Sequence, residues 1–193
     1  MRNHGYTLLE LTMAMAILVI VSGMLLMLSI SLGSATQAQE AKITTSDEAR
    51  TAMLQIVRQV RQASRASIPT GSLPGPVLTY RVAQDVSGNG VAVNPAVALE
   101  LSPVRTIQRD TDDLNNDGVG ATQLIMTEGA NVTVLANNLM LDGANNNAVG
   151  IDVGLWFEQV GGAIRITVQT QRVADSAGRV VQTTMVETVM PRN

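Results

Sequence analysis

Gly5-Tyr6-Thr7-Leu8-Leu9-Glu10 leads into a run from Leu11 to Gly33, 23 positions with no charged residue and no proline. An α-helix crosses the hydrocarbon core of a bilayer in about 20 such residues, so the run is long enough to span with some tilt. The first five residues carry one basic side chain, Arg2. A secretory signal closes its apolar block with a small-x-small cleavage site, and no such block precedes this run. The small residue, Gly5, lies on the near side of it instead. A cut after Gly5 leaves the hydrophobic helix on the mature chain, with Tyr6 as its first residue. Glu10 is the anomaly. A carboxylate one turn into a membrane helix costs about 2–3 kcal/mol, so it calls either for a partner or for a place at the interface to which it can snorkel.

These six residues resemble the processing site of type IV pilins and of the pseudopilins of type II secretion. That family has a short basic leader ending in Gly, an aromatic first mature residue and Glu as the fifth. Gly5, Tyr6 and Glu10 match, with Tyr in place of the usual Phe. The resemblance implies cleavage by a prepilin peptidase between Gly5 and Tyr6 and N-methylation of Tyr6. It further implies that Glu10 meets the free amine of a neighbouring subunit during assembly. Major subunits of the family commonly carry a glycine and a proline in the membrane half of the helix. The corresponding places here hold Val19 and Met27, which resembles a minor pilin or minor pseudopilin more closely.

Composition narrows the alternatives. The 193 residues provide for one moderate domain plus the membrane helix. Aromatic residues make up 2%, so the core must come from Val, Ile, Leu, Ala and Met. The net charge of −3 gives no field that would attract nucleic acid. There is no cysteine, and His4 is the one histidine, inside the expected leader. A mature chain without His or Cys lacks the commonest general base and the thiol nucleophile, so no enzyme is expected.

Beyond Ser34 the chain turns polar while helix formers continue to about Ala66. Met53, Ile56, Val57 and Val60 fall on one apolar stripe, and Arg58, Arg61 and Arg65 suit the carbonyl end of the helix dipole. The same three arginines are the one place to look for a DNA contact, but in an acidic chain with few aromatics they make a poor DNA surface. Gly23 and Gly33 mark where a helix this long would bend. Ile68–Pro76, with three prolines and two glycines, ends it. Strands are expected at Val77–Ala83, Val91–Leu101 (interrupted at Asn94-Pro95), Val104–Gln108, Leu124–Thr127 and Val132–Leu135. Alternation from Ile151 to Glu158, from Ile164 to Gln169 and over Val180–Met190 predicts a three-stranded antiparallel meander with one buried face. Trp156 falls on its polar side, where it either anchors a partner or packs at the sheet edge. The expected fold class is therefore α+β. A leader (1–5) precedes a membrane and assembly helix (6–33), which continues amphipathically (34–67). A linker (68–76) then leads to a β-rich domain (77–193).

One cluster has metal-ligand character. Asp113, Asn115 and Asp117 stand at positions 1, 3 and 5 of a loop with Gly118 at position 6, the front half of an EF-hand-type calcium loop. Position 12 is Leu124 rather than Glu, so the shell needs Asp110, Asp112 or a residue from elsewhere. The same composition also suits a plain polar turn, and calcium and turn both stand as readings. As a whole, the sequence points to a prepilin-like subunit in a bacterial cytoplasmic membrane, with its β domain outside the cytoplasm. Its partners would be the peptidase, other pilin subunits and the inner-membrane assembly platform. An anchored calcium- or glycan-binding domain that never polymerises, and a DNA-uptake pseudopilin, are the rival readings.

Overall fold

Thr7 and Glu10 begin the first element, and the apolar run carries it forward. A computed structural model describes residues 7–69, 71–93, 96, 98–120, 122–139, 154–174 and 178–192. Helix α1 (Leu8–Gln62) runs for 55 residues, about 80 Å, and continues as helix through Gly23 and Gly33. Its first half touches nothing: every residue from Thr7 to Gly33 is exposed. Its second half buries Ala41, Thr45, Ala49, Ala52, Met53, Ile56, Val57 and Val60 at steps of three and four, the spacing of one helix face.

The helix stops at Gln62, earlier than the run of helix formers suggests. The residues after it are taken by other strands of chain. Ser64 donates its N–H to the Arg81 carbonyl, the Arg65 N–H goes to the Arg192 carbonyl, and the Ala63 carbonyl accepts from the Arg192 N–H. A short 3₁₀ turn (Arg65–Ser67) follows and leads into the linker.

The β part forms two sheets rather than one. β1 (Leu78–Tyr80), β2 (Arg105–Arg109), β3 (Leu124–Glu128) and β4 (Asn131–Ala136) make a four-stranded antiparallel meander. β5 (Leu155–Val160), β6 (Ala163–Val173) and β7 (Val180–Val189) make the three-stranded antiparallel meander expected from the alternation. The turns into β4 and β6 are two residues long, with Gly129 (φ 60°) and Gly161 (φ 62°) supplying the left-handed backbone that tight hairpins need. Linker residue Gly75 exchanges both backbone hydrogen bonds with Phe157 at the free edge of β5, which blocks that edge to β1. Past the end of β5, Leu139 bridges to Thr170, so the chain after β4 lies beside β6. The described residues of 91–101 do not form the expected strand. Among those described there are isolated bridges only, Val93 to Leu99 and Ala83 to Leu101, and Asn94-Pro95 lie outside the described residues.

Helix α1 packs on β7, β6 and β4. The joint core gathers Ile56, Val60, Leu78, Tyr80, Ile107, Leu124, Leu139, Leu155, Phe157 and Ile166, all fully buried. Polar ties also fix the helix on the β part, with Asn138 Nδ2 donating to Glu48 Oε1 (2.6 Å). Thr170 donates its hydroxyl to the Thr45 carbonyl (2.9 Å), and Tyr80 donates its hydroxyl to Gln59 Oε1 (3.1 Å). Burial pushes the Tyr80 phenol up to about 12, so it stays a donor throughout the physiological range.

Candidate functional site

Two places carry the chemistry that the sequence singled out, and the first is the start of α1. Thr7 caps the helix. Its hydroxyl accepts the Glu10 N–H (3.3 Å), while Glu10 Oε2 accepts the Thr7 N–H (3.0 Å). This reciprocal pair is a capping box, in which two orphan donors of the first turn are satisfied at once. In the single chain Glu10 is therefore folded back on its own helix end and stays exposed to solvent. The signature Thr7-x-x-Glu10 is the sequence signal for this cap. Gly5 and Tyr6, the expected cleavage and methylation positions, lie outside the described residues. The helix that follows is long and apolar enough to cross a membrane, with a mean hydropathy of 2.6 in its most apolar window and none of that window buried in the protein.

The second place is the loop between β2 and β3. Asp113 (φ 50°) and Asn116 (φ 55°) both take left-handed backbone, as does Gly118 (φ 79°). The Asp113 carboxylate accepts the N–H groups of Asp117 (3.0 Å) and Gly118 (3.1 Å). Asn115 Oδ1 also accepts the Asp117 N–H (3.2 Å), and Asp117 Oδ1 accepts that of Val119 (2.8 Å). The structure thus coils Asp113, Asn115 and Asp117 around one turn, as the spacing implies. Gln123, which is nearly buried, donates Nε2 to Asp117 Oδ2 (2.8 Å) and accepts Asn115 Nδ2 (3.0 Å). The bond from Gln123, with that from the Val119 N–H, holds the Asp117 carboxyl below its usual range. Asp112 is exposed, whereas Asp110 is fully buried. Among the described residues, no three His, Cys, Asp or Glu side chains converge on a metal position, so this turn offers two carboxylates, an amide oxygen and backbone carbonyls.

A second loop repeats the same bonding. In Asp85-Val86-Ser87-Gly88-Asn89-Gly90, Asp85 accepts the N–H groups of Asn89 (3.1 Å) and Gly90 (2.7 Å), and Asn89 Oδ1 accepts that of Val91 (2.9 Å). Glu100 Oε2 closes it from outside on the N–H groups of Val86 (2.6 Å) and Ser87 (2.9 Å). The spacing Asp-x-Ser-x-Asn-Gly, parallel to that of Asp113–Gly118, was the signal to find it.

Of the remaining sequence-derived positions, Arg58, Arg61 and Arg65 are all exposed, and the Arg65 guanidinium lies over Gly162, where an added Cβ would sit 3.0 Å from it. Trp156 lies half-buried on the outer face of β5, in a shallow depression shared with Pro74, Glu158, Arg165 and Thr167.

A membrane-length helix whose second half is clasped by antiparallel sheets defines a pilin-like protein. Residues 1–26 match the family model of the prokaryotic N-terminal methylation motif, the motif on which the resemblance to type IV pilins and pseudopilins rests. No curated protein and no solved structure gives a match.

Proposed function

We propose that the chain is a minor pilin or minor pseudopilin, cut by prepilin peptidase after Gly5, methylated on Tyr6, and assembled into a type IV pilus or a secretion pseudopilus. Before assembly it is held in the bacterial cytoplasmic membrane by α1, with the β domain outside the cytoplasm. The observation that supports this reading is the uncovered half of α1, from Leu8 to Gly33, placed directly behind the methylation motif. A large apolar side chain left in water forgoes about 1.5–3 kcal/mol of burial, so a surface of this extent needs lipid first and neighbouring helices afterwards. In the filament Glu10 exchanges its capping bond for the charged amine of a neighbouring subunit. DNA handling has no place in this reading, since in an acidic chain with 2% aromatic residues the three arginines at the end of α1 make a poor DNA surface.

Two variants of Glu10 test the assembly step. Glu10→Gln keeps an acceptor for the Thr7 N–H and removes the charge, while Glu10→Val removes both. Both should enter the membrane and fold normally, and both should be depleted from isolated filaments. Incorporation of both at the wild-type level would contradict the pairing. Depletion of Glu10→Val alone would assign Glu10 to capping instead.

A further inference from the structure

The outer face of β5, β6 and β7 carries side chains that a plain solvent-facing sheet does not call for. Trp156, the one tryptophan of the chain, stands opposite Thr167 on β6, and Thr167 stands opposite Val186 on β7. On the same face Glu158 pairs with Arg165, and Gln169 with Thr184. Alternation along the strands turns this set away from the core that takes Phe157, Ile166 and Val168. Yet Thr167 and Gln169, on the central strand, are each only 6% exposed. They lie at the floor of a depression of about 490 Å³, with Trp156 and Pro74 on its β5 side and Thr184 and Val186 on its β7 side. That volume is within the range of small-ligand sites, about 300–1,000 Å³.

The lining decides what kind of molecule fits. Its two charged groups cancel: Arg165 Nη1 donates to Glu158 Oε2 (3.0 Å). Both side chains stay nearly half exposed (45% and 44%), so the pair still offers a ligand donors and acceptors, but no net charge. The other polar lining groups, Thr167, Gln169 and Thr184, are neutral. An ionic ligand meets no uncompensated counter-charge here, and charge complementarity is what would select one. A wholly apolar ligand would strip water from the ion pair and the polar floor without replacing its hydrogen bonds. The site therefore suits a neutral molecule with an apolar face for the indole and hydroxyl groups round its rim. Sugars of the gluco configuration have this shape, because their equatorial hydroxyls ring the edge and leave C–H groups on both faces. The negative face of an indole attracts such C–H groups, and its N–H remains free to donate at the edge.

We propose that this face binds a neutral, gluco-configured oligosaccharide, with Trp156 as the stacking platform and Glu158, Arg165 and Thr184 as the hydrogen-bonding groups. The site lies on the sheet face turned away from α1, so its occupation does not depend on whether the chain joins a filament. One shallow platform makes few contacts to offset the lost freedom of the ligand, which puts the dissociation constant on the order of 1 mM.

The single tryptophan makes the site its own reporter. The full chain, in micelles of a detergent without a sugar headgroup, is titrated with cellotriose and with triacetylchitotriose, followed by tryptophan emission and by equilibrium dialysis. At least one of the two should give a saturable change in emission, and the acidic trigalacturonate should bind about tenfold more weakly or not at all. In dialysis Trp156→Ala should abolish binding, while Trp156→Phe, which keeps a smaller platform, should retain part of it. Glu158→Gln and Arg165→Gln should each weaken it about tenfold. Arg58→Gln, at an exposed position on α1, should leave it unchanged. If Trp156→Ala lowers the melting temperature, the variants of the partly exposed Glu158 and Arg165 carry the test. No saturable change with either trisaccharide up to about 20 mM, well above the expected dissociation constant, would overturn the proposal. So would equal binding of trigalacturonate, or affinity unchanged in Trp156→Ala, Glu158→Gln and Arg165→Gln, which would leave the indole as a cover over Thr167.

Discussion

The two halves of α1 are one helix built on opposite plans. From Leu8 to Gly33 the apolar residues run all the way round, and none is covered. From Ala41 to Val60 most of them keep to one stripe, with Ile43 and Leu54 exposed outside it, and that stripe is buried beneath both sheets. The difference lies in solvent. A helix that is hydrophobic all round is stable only where lipid or other helices surround it, whereas an amphipathic one finds its partner in its own chain. The small residues Ala49 and Ala52, both fully buried, let the second half lie close against the sheets. The first half has no such partner among the described residues, and in the function proposed here its partners are the membrane and other subunits.

Substitutions that strike one half should spare the other. Phe157→Ala, in the sheet beneath the helix, should cost about 3–5 kcal/mol of β-domain stability. Ile56→Ala, on the stripe itself, should cost about 2–5 kcal/mol. Both are read as lowered melting temperatures of the full chain in micelles, with membrane insertion unaffected. Leu18→Arg places a charge mid-span. It should cost about 2.5–3.5 kcal/mol of insertion, read by fractionation, while the β domain melts as before. A lowered domain melt in Leu18→Arg would break the comparison.

Tyr80→Phe removes the tie to Gln59 and should cost about 0.5–1.5 kcal/mol. The same phenol gives a pH signature. Its folded value is raised to about 12 from 10.0, so its contribution is complete below 10 and is lost as pH rises through about 12. Alkaline melting of the wild type should show this loss, and Tyr80→Phe should show less of it. Leu18→Ala, the mildest change, should shift the domain melt by no more than about 0.5 kcal/mol.

Much of this plan was legible in the residues. The uncharged run, the stripe at Met53–Val60 and the alternation in β5 and β6 each follow one period, and periodicity survives folding. Less was legible where long-range pairing decides. The helix ends at Gln62 because Arg81 and Arg192 claim the backbone beyond it. The described residues of 91–101 form no strand, in keeping with how Asp85 and Glu100 hold the preceding turn through its N–H groups. The split into two sheets depends on Gly75 closing the edge of β5, which no local pattern announces. In the acidic loop the spacing of Asp113, Asn115 and Asp117 was readable. The burial of Asp110 was not, since it depends on how β2 and β3 pair around Gln123.

The central claim, that this helix is made to leave its leader and join other helices, is tested most directly by the intact mass of the protein from its native host. The account predicts a mature chain that lacks Met1–Gly5 and carries one added methyl group on Tyr6. A chain that still begins at Met1, in a host that possesses prepilin peptidase, would contradict it.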